Sequence, residues 1–141
     1  MKRLMVGTLL ILLLAGCNSE LTYSEIKIEK ASKDVQEFIE SVGDQGGPNL
    51  YFDGKKGQLF VYLNGSNVIQ GEKATYFKDF ELDVGGDKLK FLFNQHDTDD
   101  YSSKELKYKA LYEVKLDKEY DQVEAYSNGQ LVAFQLVSGN E

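Results

Sequence analysis

A single imidazole and several carboxylates stand close together in Asn94-Gln95-His96-Asp97-Thr98-Asp99-Asp100-Tyr101. His96 is the only histidine of the chain, so any histidine-dependent nucleophilic or zinc chemistry has to run through it. A Ser-His-Asp arrangement needs that ring within reach of both a hydroxyl and a carboxylate, and the sequence has no Gly-x-Ser-x-Gly elbow to present the serine. Asp97, Asp99 and Asp100 could turn carboxylates toward a hard cation such as Ca²⁺, which takes about six to eight oxygens. The spacing departs from an EF-hand: Tyr101 stands at the fifth position, Ser102 where glycine is required, and no glutamate falls at the twelfth. Paired carboxylates of the glycosidase kind carry almost no information in a chain with 23 acidic residues. His96, Asp97, Asp99, Asp100 and Tyr101 therefore read as a solvated polar loop between strands and a candidate binding loop. No catalytic residue, metal site or cofactor is expected.

Cys17 is the other residue whose chemistry stands out, because it is the only cysteine. It excludes an intramolecular disulfide, a CxxC redox pair and a thiolate zinc site. Lys2 and Arg3 precede an apolar run from Leu4 to Leu14, the charge and length of a secretory signal peptide. The run is too short for a bilayer, which takes about 20 apolar residues. Leu14-Ala15-Gly16-Cys17 follows it and resembles the lipobox of bacterial lipoproteins position for position. The resemblance implies that a diacylglyceryl group is joined to the Cys17 thiol, that residues 1–16 are cleaved, and that Cys17 becomes the mature N-terminus. Two acyl chains hold a protein stably on a membrane where one binds marginally, at about 0.8 kcal/mol per buried methylene. Residues 17–20 then form a lipidated cysteine and short tether, and residues 21–141 a single domain. The partner it implies is the membrane, through Cys17, on the extracytoplasmic face. Asn18 replaces the aspartate associated with inner-membrane retention in many Gram-negative lipoproteins, and the Lys-rich, Arg-poor composition leans toward a Gram-positive source. On such a protein the sequon-like Asn64-Gly65-Ser66 reads as a turn.

Composition sets further bounds. The chain of 141 residues is 42% hydrophobic and 12% aromatic with one proline, unlike a disordered segment. Its net charge is −7, and loss of Lys2 and Arg3 with the signal takes it to −9. With no Lys/Arg cluster to neutralise phosphates, nucleic acid is excluded as a partner. An anionic lipid surface rewards basic residues, so anchoring falls to the acyl chains.

The elements that must hold these residues are mostly strands. Leu21–Glu29 alternates moderately and reads as a first strand. Val35, Phe38, Ile39 and Val42 recur at helical spacing, with Ser32 as N-cap, Asp34 in the first turn and Gly43 past the end, predicting one helix over 33–42. Beyond Gly46-Gly47-Pro48 the signals are β. Gln58–Leu63 is apolar on both parities and reads as a central strand covered on both faces. Gly85-Gly86 as a two-residue turn sets Leu82 against Leu89 and Phe80 against Phe91, with Asp83–Lys88 and Glu81–Lys90 on the other face. Asn128-Gly129 reads as a type I′ turn that sets Ala125 against Val132, Val123 against Phe134 and Gln122 against Gln135. Leu106–Leu116 reads as a long strand with Leu111 out of phase; a capping box at Ser102 and Glu105 is the competing helical reading. Phe77, Tyr101 and Tyr126 are expected to turn away from the core.

The sum is a mainly β domain: an antiparallel β-sandwich or small barrel of about seven or eight strands, with one short N-terminal helix. Anchor, scaffold and the lack of a catalytic constellation point to a non-enzymatic protein that binds a cell-envelope protein or wall component. The alternative is a lipocalin-like small-ligand binder with a hollow interior; a hydrolase through His96 is the least favoured.

Overall fold

The computed structural model describes residues 20–65, 73–99 and 106–140. Leu14, Ala15, Gly16, Cys17, Ser66, Asp100, Tyr101 and the Ser102–Glu105 capping box lie outside the described residues. The described elements are β1 (Thr22–Ile26), a 3₁₀ turn (Ile28–Lys30), α1 (Lys33–Val42), β2 (Gly47–Asp53), β3 (Gln58–Asn64), β4 (Ala74–Gly85), β5 (Lys88–Thr98), β6 (Lys109–Lys115), β7 (Gln122–Ser127), β8 (Gln130–Val132) and β9 (Val137–Asn140).

Helix α1 forms where its period and caps predict. The Val35 N–H donates to Ser32 Oγ at 3.4 Å, Asp34 lies in the first turn, and Gly43 ends the helix. Its buried face, Val35, Phe38 and Val42, packs on Tyr51, Phe60, Tyr62 and Leu111, each large apolar side chain contributing about 1.5–3 kcal/mol of burial. Leu111, out of phase with its strand, is out of phase because the helix covers that face of β6.

Two sheets form, ordered β1-β6-β3-β2-β9 and β4-β5-β7-β8. Both are open, so the architecture is a sandwich with the helix as a third layer and not a barrel. Strand β3 is the centre of the first sheet and is covered on both faces, as its two apolar parities require: Leu59, Val61 and Leu63 enter the interior between the sheets, Phe60 and Tyr62 lie under the helix. The interior is filled by side chains from both sheets, among them Tyr112 stacked on Phe80 with centroids 3.8 Å apart. The sheets are mixed instead of purely antiparallel, because β9 pairs parallel with β2 and β7 parallel with β5.

The Asn128-Gly129 turn has positive φ at both positions, 53° and 82°, and Ala125 pairs with Val132 as expected. The pairing stops at Val132. Beyond it the chain crosses to the first sheet, where Gln135 N–H donates to Pro48 O at 2.8 Å, so Val123 and Gln122 do not meet Phe134 and Gln135. The β4–β5 hairpin corrects its expected register. Gly85 pairs with Lys88, leaving Gly86-Asp87 as the turn, and Leu82 faces Phe91, Val84 faces Leu89 and Asp83 faces Lys90. Apolar residues still oppose apolar ones, since alternation specifies a register only to within two residues. The turn decides between the options: only Gly86 of the two loop residues has positive φ, 63°, as a type II′ turn asks.

Phe77 is buried, at 2% exposure, against the expectation that it faces outward. A bulge between Lys78 and Glu81 is the cause: Asp79, at φ 60°, and Phe80 together oppose one residue of β5. The extra residue reverses the parity of β4, so Phe77 and Phe80 both enter the core. The expected long strand begins later, at Lys109, because Lys107 bridges to Phe77 of the other sheet.

The register sorts the loops to two ends. Thr22, Lys115, Gln58, Asp53 and Asn140 form one terminal row of the first sheet. Gathered beside it, Leu116 N–H donates to Gly57 O at 3.1 Å and Asp121 N–H to Asp87 O at 2.9 Å, while Lys118 Nζ donates to Gly86 O at 3.0 Å. The chain enters the domain at this end, just before Thr22. The opposite row is Lys109, Asn64 and Gly47, a seven-residue strand away, or about 20 Å.

Candidate functional site

At the end opposite the chain's entry the two sheets part around an open cleft of about 640 Å³. Its hydrogen-bonding side chains are neutral: Asn64, Thr75, Gln95, Ser127, Gln130 and Gln135, with Asn128 on the turn above.

Buried amides hold one wall. Asn49 is fully buried, and its Nδ2 donates to Gly47 O at 3.1 Å and to Tyr62 O at 3.2 Å. Asn64 Nδ2 donates to Gly43 O at 3.2 Å and Gln45 O at 2.8 Å. Asn64 thereby fastens the loop between α1 and β2 to the end of β3, and Asn49 ties the start of β2 to β3, while its buried Oδ1 has no hydrogen-bond partner among the described residues, a cost for a buried amide. Asn64 is the last residue of β3, paired with Gly47 and Lys109, so the expected turn does not begin at Asn64, and Ser66 lies outside the described residues.

Gly65 is required by close approach. A Cβ there would lie 2.4 Å from Thr75 O and 2.8 Å from Tyr108 O, and the Gly65 N–H donates to Tyr108 O at 2.8 Å. Strands from the two sheets are thereby drawn together at the base of the cleft.

Asn128 holds the other wall. Its Oδ1 accepts from the Gln95 N–H at 2.8 Å and its Nδ2 donates to Gln95 O at 3.0 Å. The side chain thus continues the parallel β5–β7 ladder one step past Phe93 and Ser127, and its left-handed backbone sets the turn that makes this reach.

The residues singled out in the sequence fall partly beside this cleft. His96 lies within β5 and not in a loop between strands, as does Asp97; the inner-face alternation of Leu89, Phe91 and Phe93 continues through them. His96 is exposed on the outer face, its ring stacked on Tyr76 with centroids 5.5 Å apart. Asp97 accepts from Thr75 Oγ1 at 3.1 Å, on the rim of the cleft. Asp99 is exposed just beyond the strand. Among the described residues no group of three or more His, Cys, Asp or Glu could hold a metal ion. Tyr126 faces outward with Leu92 and Leu131 beside it. A hydrogen bond from its hydroxyl to Glu124 Oε1, at 3.0 Å, favours the protonated phenol and raises its pKa. Gln95 was readable as a cleft residue, since it continues the inner parity of Phe91 and Phe93 past the end of the apolar run; Gln130 and Gln135 had no comparable signal.

No known protein family, curated protein or solved structure matches the chain.

Proposed function

We propose that the protein is a membrane-anchored extracytoplasmic lipoprotein of non-enzymatic kind. It is held by a diacylglyceryl group on Cys17 and binds a cell-envelope protein or wall component through the amide-lined cleft. The observation that carries this reading is the opposition of the two ends. The chain joins the domain beside the Thr22–Lys115–Gln58 row, and the cleft opens at the Asn64–Gly47 row. A lipid at Cys17, five residues before Thr22, leaves the cleft facing away from the bilayer, toward whatever lies beyond it. Among the described residues, the polar side chains that line it carry no titratable group and suit holding a ligand more than moving its protons. The hollow barrel of a lipocalin-like binder does not form, so a ligand has the surface cleft and not an interior to enter.

Replacement of Cys17 by serine tests the reading. The variant should leave the membrane fraction and lose function while keeping the circular dichroism of the wild-type domain. Full function from the soluble form would count decisively against an anchored role.

A further inference from the structure

We infer that the cleft takes an uncharged glycan bearing hydroxyl and acetamido groups. This deepens the function proposed above and rests on it for the location of the ligand. Charge is the first ground. The chain is 28% charged, yet among the described residues none that lines the cleft is ionisable, and Asp97 on its rim accepts a hydrogen bond from the lining Thr75. A phosphate or carboxylate ligand calls for lysine or arginine, which the described lining does not supply, and a hard cation calls for about six to eight oxygens, of which the rim carboxylate of Asp97 is a small part.

The second ground is which polar groups are left to bind. Several main-chain groups around the cleft are engaged: Gln95 N–H and C=O with the Asn128 side chain, Asn128 N–H with Phe93 O, Gly65 N–H with Tyr108 O, and Gln135 N–H with Pro48 O. The outer edge of β8, the last strand of its sheet, carries no strand partner among the described residues, so a peptide adding there is the competing occupant that the test below must separate. The side-chain amides of Gln95, Gln130 and Gln135 stand outside these bonds and reach the cleft. Each presents an acceptor oxygen and two donor hydrogens. A sugar hydroxyl likewise both donates and accepts, and an acetamido group matches an amide reciprocally.

Size and rigidity agree. About 640 Å³ falls within the range of small-ligand clefts, roughly 300–1,000 Å³. The Asn49, Asn64 and Asn128 contacts hold the walls before a ligand arrives, which lowers the ordering cost of binding.

The test uses the full lipidated chain in detergent micelles, titrated with an uncharged β-linked tetramer of N-acetylglucosamine while the side-chain amide resonances are followed by NMR. Saturable shifts at Gln95, Gln130 and Gln135 are expected, without change at Gln122 on the opposite end. Gln95→Ala and Gln135→Ala should each weaken binding about fivefold, as loss of one neutral hydrogen bond does, and Gln122→Ala should leave it unchanged. Both cleft glutamines are at least partly exposed, and the retained dispersion of the amide spectrum shows whether each variant is folded. Absence of shifts at millimolar sugar, equal binding by the cleft variants, or preferential shifts with an uncharged tetra-alanine peptide would each overturn the inference. Membrane fractionation of the same chain separates the two proposals. A chain that stays with the membrane but ignores the sugar overturns the glycan assignment alone. One that binds the sugar but is never membrane-bound overturns the anchor alone.

Discussion

Asn128 combines a backbone conformation and a side-chain reach that few residues supply together. Its φ of 53° is tolerated by asparagine and glycine, and its amide makes two hydrogen bonds to Gln95. Asn128→Gly keeps the turn and loses only the reach, so it should cost about 1–2 kcal/mol, read from urea unfolding, and broaden the Gln95 amide resonance. Asn128→Ala loses both and should cost more. Gly65→Ala should also destabilise, because its methyl meets the carbonyls of Thr75 and Tyr108 and not a movable side chain; about 1–3 kcal/mol is expected for such overpacking. Tyr112 provides a pH dependence. Burial, reinforced by Glu25 and Tyr23, pushes its pKa up to about 12 from 10.0. Its folded-state pKa is above its unfolded one, so its contribution is complete below pH 10 and is lost as pH rises toward about 12. Unfolding free energy measured across that window should fall, and Tyr112→Phe should lessen the fall without abolishing it, since the Tyr120 pKa is also raised to about 12.

The β4–β5 hairpin shows at the level of the element what a sequence can specify. Alternation there made Leu82 oppose an apolar residue but left two candidates, Leu89 and Phe91, on the same face. The choice of Phe91 rests on which glycine takes positive φ. Gly86→Ala should therefore destabilise by about 1–2 kcal/mol, while Gly85→Ala, whose added Cβ meets nothing, should be close to neutral; paired urea midpoints decide it. Local features were legible for the same reason that they are local. Helix α1 carries its own period and caps, β3 its two apolar parities, and Asn128-Gly129 its own turn chemistry. Contacts between distant segments left no such trace. Nothing in Val137–Asn140 announces a parallel pairing with β2, and the bulge at Asp79 and Phe80 inverted the inferred side of Phe77. The cleft was hidden for a related reason. Its walls come from several distant segments whose amides are unremarkable one by one, whereas His96 and Asp97 drew notice through their residue types.

In the molecule taken together, the described chain begins at one end of the sandwich and the cleft opens at the other. Lys118 and Gly86 belong to the tether end, and Gln130 to the cleft end. A helix long and apolar enough to cross a membrane is absent among the described residues; the anchor proposed above is the lipid on Cys17. The most direct measurement is photo-cross-linking in cells with the full lipidated chain, placing the cross-linker at Gln130 in one strain and at Lys118 in another. Adducts with lipid are expected from Lys118, and with wall or envelope components from Gln130, both patterns vanishing in the Cys17→Ser background. Lipid adducts from Gln130, or patterns indifferent to Cys17, would contradict the proposed anchoring.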